Sequence, residues 1–183
     1  MARQARTAIR DTPLSFAEVI LKTEVYDWQA EILFAIEKGS SRNRIKMAVV
    51  APNAAGKSTR IVAIAALRWL YKNPKGKVII TTADSKQLDS QIMPALASHR
   101  SVFARKGWEF LARSIRTPED GFALSFTTDE PGRAEGHHSA PDVPLCLVLD
   151  PRLVHACFPR LEMIASALVV MLKLCNALAA QLQ

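Results

Sequence analysis

The sequence predicts an α/β fold, with a mainly parallel sheet flanked by helices, because short apolar strand-like runs alternate with helical stretches. A second observation supports this class: the apolar run 45–50 ends in a loop that leads directly into an Ala-rich helical stretch. Third, 183 residues with 49% hydrophobic side chains are enough for one domain with a core, whereas two full domains are not expected.

The elements of the first half follow from periodicity and turn signals. Ile32, Leu33 and Ile36 would share one face of a helix. The segment 16–38 is therefore predicted to form one or two helices, which a Gly-Ser-Ser break ends. Three further elements are predicted in this half: strand 45–50, helix 59–71 and strand 78–82.

In the second half, Leu88, Ile92 and Leu96 recur every four residues. This spacing predicts a helix over 86–98 with these side chains in the core and a bend at Pro94. The segment 108–116 is ambiguous. Two more strands are predicted on either side of a long polar loop: 123–127 and 145–150.

The loop after strand 45–50 has the pattern of a phosphate-binding loop. A strand that ends in a loop and opens a helix aims backbone N–H groups and the positive end of the helix dipole at one point, where a phosphate fits. Lys57 would reach the β- and γ-phosphates, and the Ser58 hydroxyl would ligate Mg²⁺. The predicted nucleotide-binding residues here are Ala51, Pro52, Asn53, Ala54, Ala55, Gly56, Lys57, Ser58 and Thr59.

The loop departs from the Walker A pattern at Ala51, which stands where the first Gly belongs. A structural alternative makes Gly56 a turn residue, Lys57 a solvated charge and Ser58 an ordinary N-cap. The position between a strand and a helix favours phosphate binding over this alternative.

The last predicted strand has the pattern of a Walker B strand. Its apolar residues end in Asp150, about ninety residues after the phosphate loop. In a nucleotide hydrolase such a strand lies beside the phosphate-loop strand and presents its Asp to the Mg²⁺ shell. Lys57 and Asp150 are therefore the candidate catalytic residues, and Ser58 and Asp150 are the candidate Mg²⁺ ligands.

A formal charge of +7 favours polyanionic partners, although it does not by itself establish DNA binding. Two basic groups are candidate contacts to a phosphate backbone, with solvated faces as the alternative: Lys38, Arg42, Arg44 and Lys46, and Arg100, Arg105 and Lys106.

The cysteines and histidines do not indicate a metal centre. Cys146, Cys157 and Cys175 form no C-x-x-C pair, so neither a disulfide framework nor a zinc site is predicted. They are typical of buried or free thiols in a reducing compartment. His137 and His138 match no common zinc spacing and are predicted to lie in a solvated loop.

Five short motifs follow one another along residues 26–150. They are Trp28-Gln29, A-P-N-A-A-G-K-S, T-T-A-D-S-K-Q-L-D-S-Q-I, R-A-E-G-H-H and L-C-L-V-L-D. In their order and spacing they resemble the P-loop ATPase domain of phage large terminase subunits, the motors that package DNA into phage heads.

The resemblance implies ATP hydrolysis, with Mg²⁺ as cofactor, coupled to translocation of double-stranded DNA in the cytoplasm of a bacterial host cell. Gln29 would contact adenine, and Trp28 would pack nearby or belong to the core. By the same resemblance the partners are ATP, double-stranded DNA, a small terminase subunit, a portal protein and further copies in a homo-oligomeric ring, with no membrane.

Two features depart from the family. Pro151 stands where the family has the carboxylate that orients the attacking water, and residues 53–55 lack the arginine that some members carry. A non-catalytic remnant that binds nucleotide or DNA is therefore an alternative to an active motor. A kinase for a small metabolite is less expected, because such kinases usually begin with the phosphate-loop strand and keep the first Gly.

Three parts are predicted: a helical segment 1–40 carrying Trp28-Gln29, an ATPase core 41–150, and an apolar helical tail 151–183 unlike the family. The sheet would then be incomplete towards its C-terminus. The tail's apolar run, 163–172, is too short for the about 20 residues that span a bilayer. We hypothesise a frameshift or rearrangement after Asp150, which the absence of an acidic continuation in both other reading frames would exclude.

Overall fold

The computed structural model describes residues 11–38, 46–51, 55–82, 84–127, 145–149 and 167–174. These residues form a seven-stranded sheet with helices packed against it, so the predicted α/β class is confirmed. The division of the chain at residues 40 and 150 stays a prediction.

Two helices precede the sheet: α1, made of Pro13–Ser15 and a wider π-helical turn, Phe16–Ile20, and α2, Asp27–Glu37. On α2, Leu33 and Ile36 are buried in the core and Ile32 is half-buried against it, as their spacing predicts. This apolar face fixes α2 on the domain, which matters because α2 also carries Gln29.

The strand and the helix predicted on either side of the phosphate loop are present. Strand β1 is Lys46–Ala51, and α3 begins as a π-helical turn, Lys57–Val62, and continues as Ala63–Lys72. All side chains from 61 to 70 are buried, since the small Ala residues let neighbouring elements approach α3 on every side. The start of α3 is therefore held in one orientation.

The next unit consists of strand β2, Lys77–Thr82, and helix α4, made of Ser85–Gln87, a π-helical turn Leu88–Ile92, and Met93–Ala97. The predicted core face of Leu88, Ile92 and Leu96 is buried. The wide turn ends at Ile92, two residues before Pro94, whose missing N–H removes a helical hydrogen bond. A short helix that the sequence did not predict, α5, follows at Arg100–Ala104.

The ambiguous segment 108–116 forms an antiparallel pair. Strand β3 is Glu109–Phe110 and β4 is Ser114–Arg116; β4 then pairs with β5, Phe122–Thr127. The turn before β5 is closely packed, and a Cβ on Gly121 would collide with the carbonyl oxygen of Pro74.

Strand β6 is Leu145–Leu149 and β7 is Ala167–Leu174. The order across the sheet is β1-β7-β6-β2-β5-β4-β3. The first five strands are parallel, and β4 and β3 extend the sheet in the antiparallel sense. The prediction that the Walker B strand lies beside the phosphate-loop strand is wrong, because β7 separates β6 from β1.

The predicted helical tail is also corrected, since Ala167–Leu174 is a strand. Val170 lies opposite Met47 of β1 on one side and Val148 of β6 on the other. A strand in the middle of a parallel sheet is covered on both faces and has a continuous apolar sequence, which periodicity alone cannot distinguish from a buried helix. The sheet is thus continuous from β1 to β6 through a segment for which the resemblance gave no role.

Ion pairs join the N-terminal helices to α3. Arg68 is 5% exposed, and its guanidinium lies 2.7 Å from the Glu37 carboxylate and 3.4 Å from that of Asp11. It also donates to the Asp11 carbonyl oxygen. Lys72 approaches the same Glu37 oxygen at 2.6 Å. Two charged residues of α3 therefore converge on one carboxylate of α2.

Candidate nucleotide-binding site

The predicted phosphate loop meets α3 at a left-handed glycine. Gly56 has φ 78° and ψ 17°, which a side chain would strain, and it is the residue immediately before the helix. A Cβ here would also lie 3.0 Å from Nε2 of Gln29. The carbonyl oxygen of Gly56 accepts from the N–H groups of Arg60 and Ile61 at 2.8 and 3.3 Å. The three residues between Gly56 and Arg60 form the first turn of α3, and N–H groups at the start of a helix are the ones that anions bind in proteins.

Lys57 is 4% exposed, and this burial lowers the pKa of its ammonium group. The alternative of a solvated lysine is therefore wrong. Ser58 is not the N-cap either, because Gly56 takes that position and Ser58 lies inside the first turn, half-buried. Thr59 is exposed. Pro52, Asn53 and Ala54 lie outside the described residues.

Gln29 is fully buried and connects α2 to the phosphate loop. Its Oε1 accepts from the N–H of Tyr26 at 3.2 Å, and its Nε2 donates to the Ala55 carbonyl oxygen at 2.9 Å. Sequence reasoning selected this residue for a different purpose. Its predicted contact with adenine stays a prediction.

Three further side chains lie near the start of α2: Tyr26, Trp28 and Arg60 of α3. The sequence assigned no role to Tyr26 or Arg60 and left two alternatives for Trp28. The guanidinium carbon of Arg60 lies 4.8 Å from the ring centroid of Tyr26, which is 52% exposed. Trp28 is 36% exposed, so packing in the core does not account for it. Only the fold brings Arg60 and Tyr26 together, because they belong to different helices and no motif in the sequence links them.

The remaining predicted site residues lie outside the described residues. This applies to Asp150, to Pro151 and to the loop containing His137 and His138. Strand β6, which Asp150 follows, is described up to Leu149. Within the ranges that the structure describes, no cluster of His, Cys, Asp or Glu could hold a metal ion, and no helix is long and apolar enough to cross a membrane.

The one described cysteine, Cys146, is a free thiol on β6, and burial raises its pKa to about 12. It is therefore protonated at neutral pH and inert as a nucleophile.

The second basic group is partly used within the fold. Arg100 donates to the carbonyl oxygen of Phe110, and Nζ of Lys106 lies 4.5 Å from the ring centroid of Tyr71. Arg105 is exposed. Of the first group, Lys38 is exposed, and the side chains of the other three are outside the description. A role of these residues in DNA contact stays a prediction.

No family model matches the sequence, and no curated protein matches it. Among solved structures, the large terminase ATPase domain of Thermus phage P74-26 superposes with a TM-score of 0.60 at 12% identity, over 84% of this chain and 67% of that chain. A mutant of the same domain gives 0.60 at 11% identity, over 85% and 67%. At this identity the likeness concerns the fold, and it confirms the resemblance inferred from the motifs: the chain has the fold of a phage large-terminase ATPase domain.

Proposed function

We propose that this chain is the ATP-binding domain of a terminase large subunit, which holds Mg-ATP at residues 51–59. The observation that carries the proposal is the buried Lys57 directly after the left-handed Gly56, at the start of a helix that follows a parallel strand. Burial among elements that surround the start of α3 holds the Lys57 side chain close to the first turn of that helix. A phosphate bound at the start of α3 would meet the Lys57 ammonium group and the positive end of the helix dipole together.

Mg²⁺ fits the chemistry of the residues present. Ser58 is half-buried one residue after Lys57 and offers a neutral oxygen of the kind Mg²⁺ accepts, and Asp150 would supply a carboxylate. The ion would neutralise charge on the phosphates, and Lys57 would do the same for the γ-phosphate. Gly56 contributes by its conformation, which turns the chain from the loop into the helix.

Nucleotide binding is expected with more weight than nucleotide hydrolysis. In the position that follows Asp150, Pro151 can neither accept a proton nor orient a water, so the chain as it stands favours nucleotide binding without efficient hydrolysis. Double-stranded DNA, a small terminase subunit, a portal protein and a ring of copies in the host cytoplasm belong to the same proposal. The fold supports them only through its likeness to a terminase ATPase domain.

Lys57→Ala tests the phosphate site. We expect the variant to lose Mg-ATP affinity by about 10- to 100-fold, the value of a charge-assisted hydrogen bond. Calorimetric titration of wild type, Lys57→Ala and Lys75→Ala measures this; Lys75 lies in an exposed turn and controls for the lost charge. Equal affinities in all three proteins would refute a phosphate site at Lys57.

An ATPase assay with and without double-stranded DNA separates the functions. Hydrolysis stimulated by DNA supports the motor, whereas Mg-ATP binding without turnover supports the non-catalytic remnant. Transfer of the phosphoryl group to a small acceptor would replace both with a kinase.

The pH dependence of phosphate affinity follows from the lowered pKa of Lys57. A bound phosphate raises that pKa, so binding takes up a proton at high pH and affinity falls as pH rises, beginning below the usual 10.5. The stability of the free protein changes with pH in the opposite sense. The unfolded chain binds the Lys57 proton more tightly than the folded chain, so the free energy of unfolding rises with pH over this window. Titrations across the alkaline range measure the slope, which Lys57→Ala should lack.

A further inference from the structure

We infer that Gln29 positions the phosphate loop and acts on every phosphate ligand alike, rather than selecting the base. The inference rests on the proposed nucleotide function. It comes from a contact between α2 and the loop that the motif pattern did not indicate: a fully buried side-chain amide that bonds to a backbone group on each side.

The two hydrogen bonds of Gln29 fix the orientation of its amide. The Tyr26 N–H can only donate and the Ala55 carbonyl oxygen can only accept, so Oε1 must face Tyr26 and Nε2 must face Ala55. Both amide atoms thus bond to backbone, and the side chain has no exposed surface to offer a base. A contact with adenine would require this amide to leave its buried partners, which costs their hydrogen bonds.

The hydrogen bond from Gln29 to the Ala55 carbonyl oxygen also fixes the direction of the Gly56 N–H. The peptide between Ala55 and Gly56 is planar and trans, so its C=O and N–H point in opposite directions. Because the oxygen points to Gln29 on α2, the Gly56 N–H points away from α2. Phosphate loops bind through consecutive N–H groups that point to one side, and rotation of this peptide would remove one of them.

The packing around Gly56 also supports a positioning role for Gln29. A Cβ at this residue would stand 3.0 Å from Nε2 of Gln29 and 3.4 Å from Cδ of Arg60. The glycine backbone therefore lies directly against the Gln29 amide, and the left-handed turn that leads into Lys57 is supported from α2. Without the amide, the Ala55–Gly56 peptide loses its hydrogen bond and its neighbour at once.

Gln29→Met tests this role, because methionine has a similar length and no amide. The probes are inorganic tripolyphosphate, Mg-ATP and Mg-GTP. We expect roughly tenfold weaker binding of all three by the same factor, about the value of one hydrogen bond. Ile36→Val is the matched control: it lies on the buried face of the same helix, makes a mild core truncation and should leave all three affinities unchanged at temperatures where both variants are folded.

Two results would overturn the inference. One is a loss confined to Mg-ATP with unchanged tripolyphosphate binding, which would make Gln29 a base contact. The other is an equal loss in Ile36→Val, which would reduce the effect to general stability.

Failure of the nucleotide proposal itself has a separate signature, because wild type would then bind none of the probes. Hydrogen exchange decides the positioning role in that case. The Arg60 and Ile61 amides that bond to Gly56 should exchange about tenfold faster in Gln29→Met than in Ile36→Val, and equal rates would overturn it.

Discussion

Val170→Pro is expected to lower the free energy of unfolding by on the order of 3 kcal/mol or more and to abolish Mg-ATP binding. Val170 lies in the middle of β7, between Met47 of β1 and Val148 of β6. Proline removes an N–H from the ladder and its ring does not fit a central strand. Among the described strands β1 pairs with β7 alone, so loss of β7 separates the phosphate-loop strand from the sheet.

Thermal and denaturant unfolding measure this effect, with Val170→Ala as the control. Alanine shortens the same side chain but keeps the backbone N–H. The difference in the free energy of unfolding between the two variants therefore measures the loss of the backbone hydrogen bond rather than the loss of side-chain packing. If both variants unfold at the same denaturant concentration, β7 is not a central strand of the sheet. Deletion of residues 151–183 should reproduce the proline result.

Arg68→Ala is expected to cost about 3–5 kcal/mol of stability, the usual cost of breaking a buried ion pair. The Arg68 guanidinium is buried against the carboxylates of Glu37 and Asp11 and lies 5.6 Å from the ring centroid of Phe16. Its removal leaves Glu37, whose side chain is 19% exposed, with Lys72 as its remaining described ion-pair partner. Alanine also opens a cavity between α1 and α3.

Arg113→Ala is the control for Arg68→Ala. Arg113 also forms an ion pair, with Asp89 at 2.6 Å, but both side chains are about half exposed to solvent. Water screens such a pair, so the denaturation midpoint of Arg113→Ala should stay close to that of wild type. Equal midpoints for the two variants would show that the Arg68 network does not hold the N-terminal helices on the domain.

Several helices and strands can be predicted from the local sequence pattern without knowledge of the fold. The predicted strand 78–82 and helix 86–98 each match the structure to within one residue at either end. Apolar side chains at helical spacing must face a core, as Leu88, Ile92 and Leu96 do. The helix predicted over 59–71 is likewise present and begins two residues earlier, at Lys57, after Gly56, since glycine adopts φ 78° without strain.

Elements that depend on a distant partner were misjudged. The run 163–172 was expected to be helical, and the segment 108–116 stayed ambiguous. Their strands form because β1 and β6 flank the first segment and β5 flanks the second. Strand propensity is largely the effect of such neighbours, so it is not encoded in the segment itself.

In the candidate site, too, some features follow from the local sequence and others depend on distant partners. The sequence by itself determined the α/β class and the strand and helix on either side of the predicted phosphate loop, because these depend on residues close together in the chain. Only the tertiary structure decided the strand order, the burial of Lys57 and the partners of Gln29. Gln29 and Ala55 are 26 positions apart, and a hydrogen bond over that separation depends on how α2 packs against α3. Local periodicity contains no information on that packing, which the shared core supplies.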